Sequence, residues 1–388
     1  MVGLLASSIE FQMSLLLFVA LAGYLIASRI NQSVVIGEIL VGLLMGPSLL
    51  GLITYTDFVK SVAHLGAIIL LFVIGLEFRL KDIFNVRYSI IALVGVIVPW
   101  IGGFYVAKIF GYGFGSAVFV GTALTATSIA ITANVLREMG KLQTDAAKAI
   151  IGAAVIDDVL GLLALSVSKQ IVSGNVSFSS ISFVLLNAIL FLVIGSYVGY
   201  KFLNNLVQKV DNSQIAKRFP EFVFIFAMMI AFFYAMIAEL INLSAIVGAF
   251  IAGVSLYGVN LRISKDYREG AEYLYIIFAS IFFVSLGIIA DFHALSKNVI
   301  WFLIALTFVA VITKVVGCYI PARLQKMSHM DSLVVGFGMS PRGEVAMIVA
   351  LLGLNQGLIG QDIYVSLVLM SLLTTILTPI ILRNWIYN

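Results

Sequence analysis

The chain has 388 residues, 62% of them apolar, and only 23 basic and 19 acidic side chains, 11% charged against about 25% in soluble domains. So few charges cannot cover a soluble protein of this size, which argues against disorder, secretion and cytosolic enzymology and makes the bilayer the solvent. One cysteine, Cys318, leaves no intramolecular disulfide or cysteine metal site, three scattered histidines offer no metal-ligand spacing, and the net charge of +4 fits basic cytoplasmic loops rather than nucleic acid.

Windows of about 20 residues mark thirteen apolar segments, near 11–29, 34–51, 62–79, 89–108, 115–137, 146–168, 181–201, 220–239, 243–258, 272–290, 298–320, 332–354 and 363–384. The first reads as a span rather than a cleaved signal peptide, because its run from Phe11 to Ala27 is long and no basic region precedes it. Seventeen loop Lys and Arg residues follow odd-numbered segments, from Arg29 and Arg79 through Arg262 and Lys265 to Arg383. Four follow even-numbered ones: Lys60, Lys108, Lys169 and Lys297. This asymmetry predicts an external N-terminus and a cytoplasmic C-terminus. The chain stops at Asn388, a few residues past Arg383, so no appended nucleotide-binding domain is expected.

Segments 2 and 9 share the pattern G-x4-G, Gly37–Gly42 and Gly248–Gly253, at an offset of 211 residues. The same offset places Phe72-Val73 of segment 3 on Phe283-Val284 of segment 10. The offset covers an odd number of spans, so the halves would be inverted, as in secondary transporters whose ion site lies at the midplane where broken helices meet. The plainer reading makes these glycines packing faces between helices.

Segment 5 carries Thr122, Thr125, Thr127, Ser128, Thr132 and Asn134, more hydroxyl and amide than a lipid-facing helix holds. Segment 6 holds Asp157 and Asp158, segment 11 Lys314, and segment 12 Arg342 and Glu344. An ionisable group at the bilayer centre costs about 2.5–3.5 kcal/mol on insertion scales, so each needs a reason. Salt bridges Asp157–Lys314 and Glu344–Arg342 would explain four of them and leave one aspartate without an obligatory partner, which makes it a proton or cation site. Arg342 cannot release its proton and reads as structural. In Gly336-Phe-Gly-Met-Ser-Pro-Arg-Gly-Glu344 of segment 12, Pro341 removes a helix hydrogen bond and the glycines loosen the backbone. A broken helix at membrane depth is tolerated only inside protein or beside a cavity. Glu38 and Glu77 are weaker candidates, at interfaces or in a cytoplasmic funnel. Glu239 and Asp291 read as helix-end residues.

At these residues the chain resembles the cation:proton antiporter superfamily, in the monovalent cation:proton antiporter-2 branch that includes NapA-type sodium/proton antiporters. The likeness runs over essentially the whole chain. It is carried by Val35-Ile-Gly-Glu-Ile-Leu-Val-Gly42 with Gly46-Pro47, Phe72-Val-Ile-Gly-Leu-Glu77, Thr127-Ser128, Ile156-Asp-Asp158, Phe283-Val-Ser-Leu-Gly287, Lys314 and Ser340-Pro-Arg-Gly-Glu344. The resemblance implies an all-α polytopic membrane fold of the NhaA/NapA kind and a homodimer in the cell membrane. Its dimerisation domain would be spans 1–3 and 8–10 (about 11–79 and 220–290) and its core domain spans 4–6 and 11–13 (about 89–168 and 298–384), joined by span 7. Segments 5 and 12 would unwind and cross beside the aspartates. Paired aspartates imply electrogenic exchange, with Asp157 bonded to Lys314 while the site is empty and Lys314 losing its proton when the cation arrives. Asp158 would be the carrier for which Na⁺ and H⁺ compete, with Thr127, Ser128 and freed carbonyls of segment 5 completing the oxygen shell. The choice between the two aspartates comes from the family, since adjacent helix positions alone do not decide it.

The ions carried would be H⁺ and Na⁺, with Li⁺ as an alternative cargo, and neither a cofactor nor a nucleic-acid partner is expected. No GxxxxGK[ST] motif is present, so an ion gradient must drive the cycle. Competing readings are a potassium/proton antiporter, a retinal-type receptor with Lys314 as the Schiff base, and a passive cation channel. Thirteen spans and an inverted repeat argue against the receptor, and saturable, proton-coupled flux would exclude the channel.

Overall fold

A computed structural model describes residues 8–83, 85–173, 178–259, 261, 267–289 and 297–387, and these are helices joined by short turns, with no strand among them. In chain order the longer helices are α1 (Ile9–Arg29), α2 (Val34–Met45), α3 (Asp57–Gly75), α4 (Val86–Ile109), α5 (Phe114–Thr125), α6 (Ile129–Glu138), α7 (Asp145–Ser173), α8 (Phe178–Leu190), α9 (Phe222–Leu240), α10 (Ala245–Ser255), α11 (Tyr267–Ile288), α12 (Lys297–Leu324), α13 (His329–Gly338), α14 (Glu344–Asn355) and α15 (Gln361–Ile381). Past Leu190, α8 runs through two π-helical stretches, Phe191–Gly195 and Gly199–Leu203, to Asp211. Among the described residues, ten helical stretches are long and apolar enough to cross a membrane, and the apolar helices Val34–Met45, Ala245–Ser255 and Val345–Leu354 are shorter. Large apolar side chains such as Trp301, Phe308 and Leu25 stand more than half exposed, which only a hydrocarbon solvent tolerates on this scale.

Local chemistry sets the helix ends. Asn85 accepts from the Arg87 amide at the start of α4, and Ser328 from the Asp331 amide at the start of α13. Gly111, at φ 83°, turns the chain after α4 in the left-handed region that glycine adopts freely. Segment 2 was expected to reach residue 51, but α2 stops at Met45. Pro47 cannot donate to continue it, and Gly46 takes an extended conformation as its C-cap.

The 211-residue offset recurs in the backbone. It relates the starts of α2 and α10 (Val34, Ala245), and it relates Asn31 to Asn242, two of the described non-glycine residues with positive φ. It also relates packing contacts. Gly37 lies against the backbone of Gly23, and Gly248 against that of Tyr234. Gly42 lies against the Val284 carbonyl, and Gly253 against the Phe72 carbonyl, one residue away from exact register. A side chain at any of the four would meet backbone, so these glycines are packing faces.

By packing, the chain divides into two compact units. One contains 57–84 and 182–282, with α10 laid against α3 and α9. The other contains 1–56, 85–181 and 283–388; there α4 packs on α5, α7 and α12, and α15 packs on α12 and α14. Gly95 and Gly317 bring α4 and α12 close together around Cys318 and the ammonium end of Lys314. The polar and ionisable residues singled out in segments 5, 6, 11 and 12 all belong to this second unit.

Candidate ion-binding site

Segments 5 and 12 are each interrupted. Helix is absent at Ala126–Ser128 between α5 and α6, and at Met339–Gly343 between α13 and α14. No proline breaks the first; there the Thr125 hydroxyl turns back onto the Thr122 carbonyl at 2.7 Å, one of the side-chain bonds that compete with helix continuation. The two gaps meet. The Ser128 amide donates to the Pro341 carbonyl at 2.8 Å, the Thr127 hydroxyl to the Met339 carbonyl at 3.3 Å, and the Thr132 hydroxyl to the Gly338 carbonyl. A Cβ on Gly343 would fall 2.6 Å from Ser128 Oγ, so the backbones approach as closely as glycine allows.

Two buried cations close the end of α5. Lys314, wholly buried on α12, donates through Nζ to the Thr125 carbonyl at 2.8 Å and to Asp157 Oδ1 at 2.9 Å. Arg342, wholly buried in the second gap, donates through Nη1 to the Ala126 carbonyl at 2.7 Å and through Nη2 to the Ala310 carbonyl, one turn before Lys314, at 3.2 Å. Helix-end carbonyls have no intrahelical donor, and at this depth protein must supply one. Arg342 is therefore held by backbone oxygens on two elements. Its Nε has no hydrogen-bond partner among the described residues.

Asp157 is 1% exposed and Asp158, the next residue on α7, is half-buried. Successive residues of a helix point about 100° apart, so Asp157 faces Lys314 while Asp158 is turned to a more open side. The backbone of Glu344 begins α14, but its side chain lies outside the described residues, as do Asp291, Arg262 and Lys265. Glu38 is buried in α2 against Gly23, and Glu77 is half-buried. Glu239 is exposed, 3.3 Å from His64 Nε2.

Sequence reasoning missed the support behind the second gap. On α15, Thr374 accepts from the Arg342 amide at 3.1 Å, Thr375 donates to the Arg342 carbonyl at 3.0 Å, and Thr378 shares a hydrogen bond with Ser340 at 2.9 Å. The signal was present: Ser371, Thr374, Thr375 and Thr378 form a hydroxyl stripe at spacings of three and four, on one face of an otherwise apolar helix.

The sodium/hydrogen exchanger transmembrane family model matches residues 15–386. The chain is 34% identical over 376 residues to the Na(+)/H(+)-K(+) antiporter GerN of Bacillus cereus, covering 96% of this chain and 95% of that protein. It is 34% identical over 379 residues to a Na(+)/H(+) antiporter of Enterococcus hirae, covering 95% and 96%. Among solved structures, the sodium proton antiporter MjNhaP1 from Methanocaldococcus jannaschii shares the fold with a TM-score of 0.73 at 17% identity, covering 97% of this chain and 96% of that one. The chain belongs to the transmembrane sodium/hydrogen exchanger family and is a multi-pass membrane transporter rather than an enzyme.

Proposed function

We propose that this protein exchanges Na⁺ for H⁺ by alternating access, with the two ions competing for Asp158. The observation that carries this reading is the meeting of two interrupted helices, with Lys314 held between the end of α5 and Asp157, the neighbour of Asp158 on α7. A carboxylate at this depth can be neutralised by a proton or by a hard cation, and one group serving both in turn is the simplest exchanger. Thr127 and Ser128 would add side-chain oxygens. Cation arrival would break the Asp157–Lys314 bond and release a proton from Lys314. Two protons per sodium would then move one net charge, worth about 2.3 kcal/mol per 100 mV.

The same proposal takes thirteen crossings, with α5–α6 and α13–α14 as crossed broken helices of inverted halves. The N-terminus lies outside, the C-terminus in the cytoplasm, and the protein forms a homodimer in the cell membrane. Residues of spans 1–3 and 8–10 form the dimerisation domain, and those of spans 4–6 and 11–13 a core that moves against it. Sodium-driven proton flux in proteoliposomes under an imposed voltage tests this. Asp158→Asn should lose exchange while remaining folded; retained sodium-dependent proton flux would remove Asp158 from the mechanism. Because the relative in Bacillus cereus is named for K⁺ as well as Na⁺, K⁺ competition in the same assay reads the selectivity.

A further inference from the structure

A second polar cluster lies away from the ion site, where the chain turns from α1 into α2. Ser33 stands at the N-cap of α2 yet makes no cap bond of its own. Its hydroxyl donates instead to Glu138 Oε2 at 2.7 Å, and the same oxygen accepts from the Val34 amide at 3.3 Å. The last residue of α6 thus caps α2 from another part of the chain. Gln32 and Asn384 exchange side-chain amide bonds at 3.3 and 3.4 Å, and Arg383 donates to Asn31 Oδ1 at 3.1 Å. Asn384 and Arg383 lie in Leu382–Ile386, the π-helical end of α15. One corner is therefore bonded, through three consecutive residues, to the two elements that run into and behind the interrupted helices.

These are not bonds of a static core. Ser33 is buried, but Glu138 and Arg383 sit at the rim, beside the basic residues that the loop-charge asymmetry puts on the cytoplasmic side. In the conformation described here the corner packs in the same compact unit as the ion site. Under the proposed function, on which this inference rests, α1 and α2 belong to the domain against which α6 and α15 must move. Bonds of this kind, one carboxylate capping and three side-chain links, cannot persist across that movement. We propose that Asn31, Gln32 and Ser33 with Glu138, Arg383 and Asn384 form a cytoplasmic latch, closed in this conformation and opened once in every transport cycle.

The test is a reversible cross-link. The protein's one cysteine, Cys318, is fully buried and does not interfere. Ser33→Cys with Glu138→Cys is reconstituted in proteoliposomes and sodium-driven proton flux is measured reduced, after oxidation, and after re-reduction. A short bismaleimide replaces the oxidant if the direct bond does not close. The expected result is a loss of exchange of more than about tenfold on cross-linking, and recovery on reduction of the disulfide. A cross-linked protein that keeps its reduced rate overturns the latch, since corner and core would then travel together. Failure of both reagents to join the pair overturns it too, because contact is its premise. If the reduced double variant is inactive while the wild type exchanges, Gln32→Cys with Asn384→Cys is judged by the same outcomes. A wild type without exchange refutes the proposed function instead.

Discussion

Replacing Lys314 by Gln separates what the lysine holds from what it carries. Its ammonium is wholly buried and serves two acceptors, Asp157 Oδ1 and the Thr125 carbonyl. Removing the charge leaves a carboxylate that is 1% exposed without its cation, and breaking one side of a buried pair costs about 3–5 kcal/mol. A glutamine amide could restore one neutral hydrogen bond, worth about 1 kcal/mol, so the net loss should be about 2–4 kcal/mol. Asp157→Asn in the same background removes the stranded charge and should recover most of that loss. Thermal unfolding of the detergent-solubilised protein, compared across wild type, both single variants and the double variant, measures the coupling. The same proteins in voltage-clamped proteoliposomes show whether the charge moved per cycle falls toward zero in Lys314→Gln. A variant as stable as wild type refutes the pairing argument, and an active variant with unchanged voltage dependence confines Lys314 to holding Asp157.

Ser128→Ala should weaken apparent Na⁺ affinity while sparing the maximal rate, because a hydroxyl leaves but the carboxylates stay; an unchanged sodium titration moves the cation site away from α5–α6. Gly343→Ala forces a Cβ within 2.6 Å of Ser128 Oγ and should cost about 1–3 kcal/mol by overpacking, relieved when Ser128 is also made Gly; thermal unfolding reads both. Tyr112, in the turn between α4 and α5, donates to Asp362 at 2.8 Å, and burial, then that carboxylate, pushes its phenol pKa up. Its protonated form is the one the fold stabilises, so the contribution is complete below about pH 10 and is lost as pH rises further. Tyr112→Phe should therefore lower stability by about 1 kcal/mol at neutral pH, with the gap to wild type narrowing in strong alkali.

Much of the architecture was legible because the bilayer leaves few ways to satisfy a backbone. The apolar windows located the helices, and the G-x4-G offset that two segments carried in sequence recurs in helix starts, in Asn31 and Asn242, and in glycine contacts. The interruption at Pro341 was readable from proline chemistry. The one at Ala126–Ser128 was readable only from an excess of hydroxyls, since nothing there forbids helix. Sequence paired Lys314 with Asp157, which the structure holds at 2.9 Å, but it could not give the backbone partners of Arg342. Arg342 beside Glu344 invites an ion pair, yet the described bonds of its guanidinium run to Ala126 and Ala310, whose side chains announce nothing. Nor does anything in the sequence mark Glu138, which accepts from Ser33 and Val34.

The two interruptions are alike in backbone and unlike in electrostatics. A helix C-terminus carries roughly half a negative elementary charge, and two such ends, those of α5 and α13, are brought together here. At α5 the donors on Thr125 and Ala126 are an ammonium and a guanidinium. At α13 the side-chain donors on Phe337, Gly338 and Met339 are all hydroxyls, those of Ser340, Thr378, Thr132 and Thr127. One helix end is more than discharged, while the other keeps its field. Under the proposed function, a scaffold with two like halves would offer a cation two like places, and resident positive charge at one of them would leave a single attractive pole.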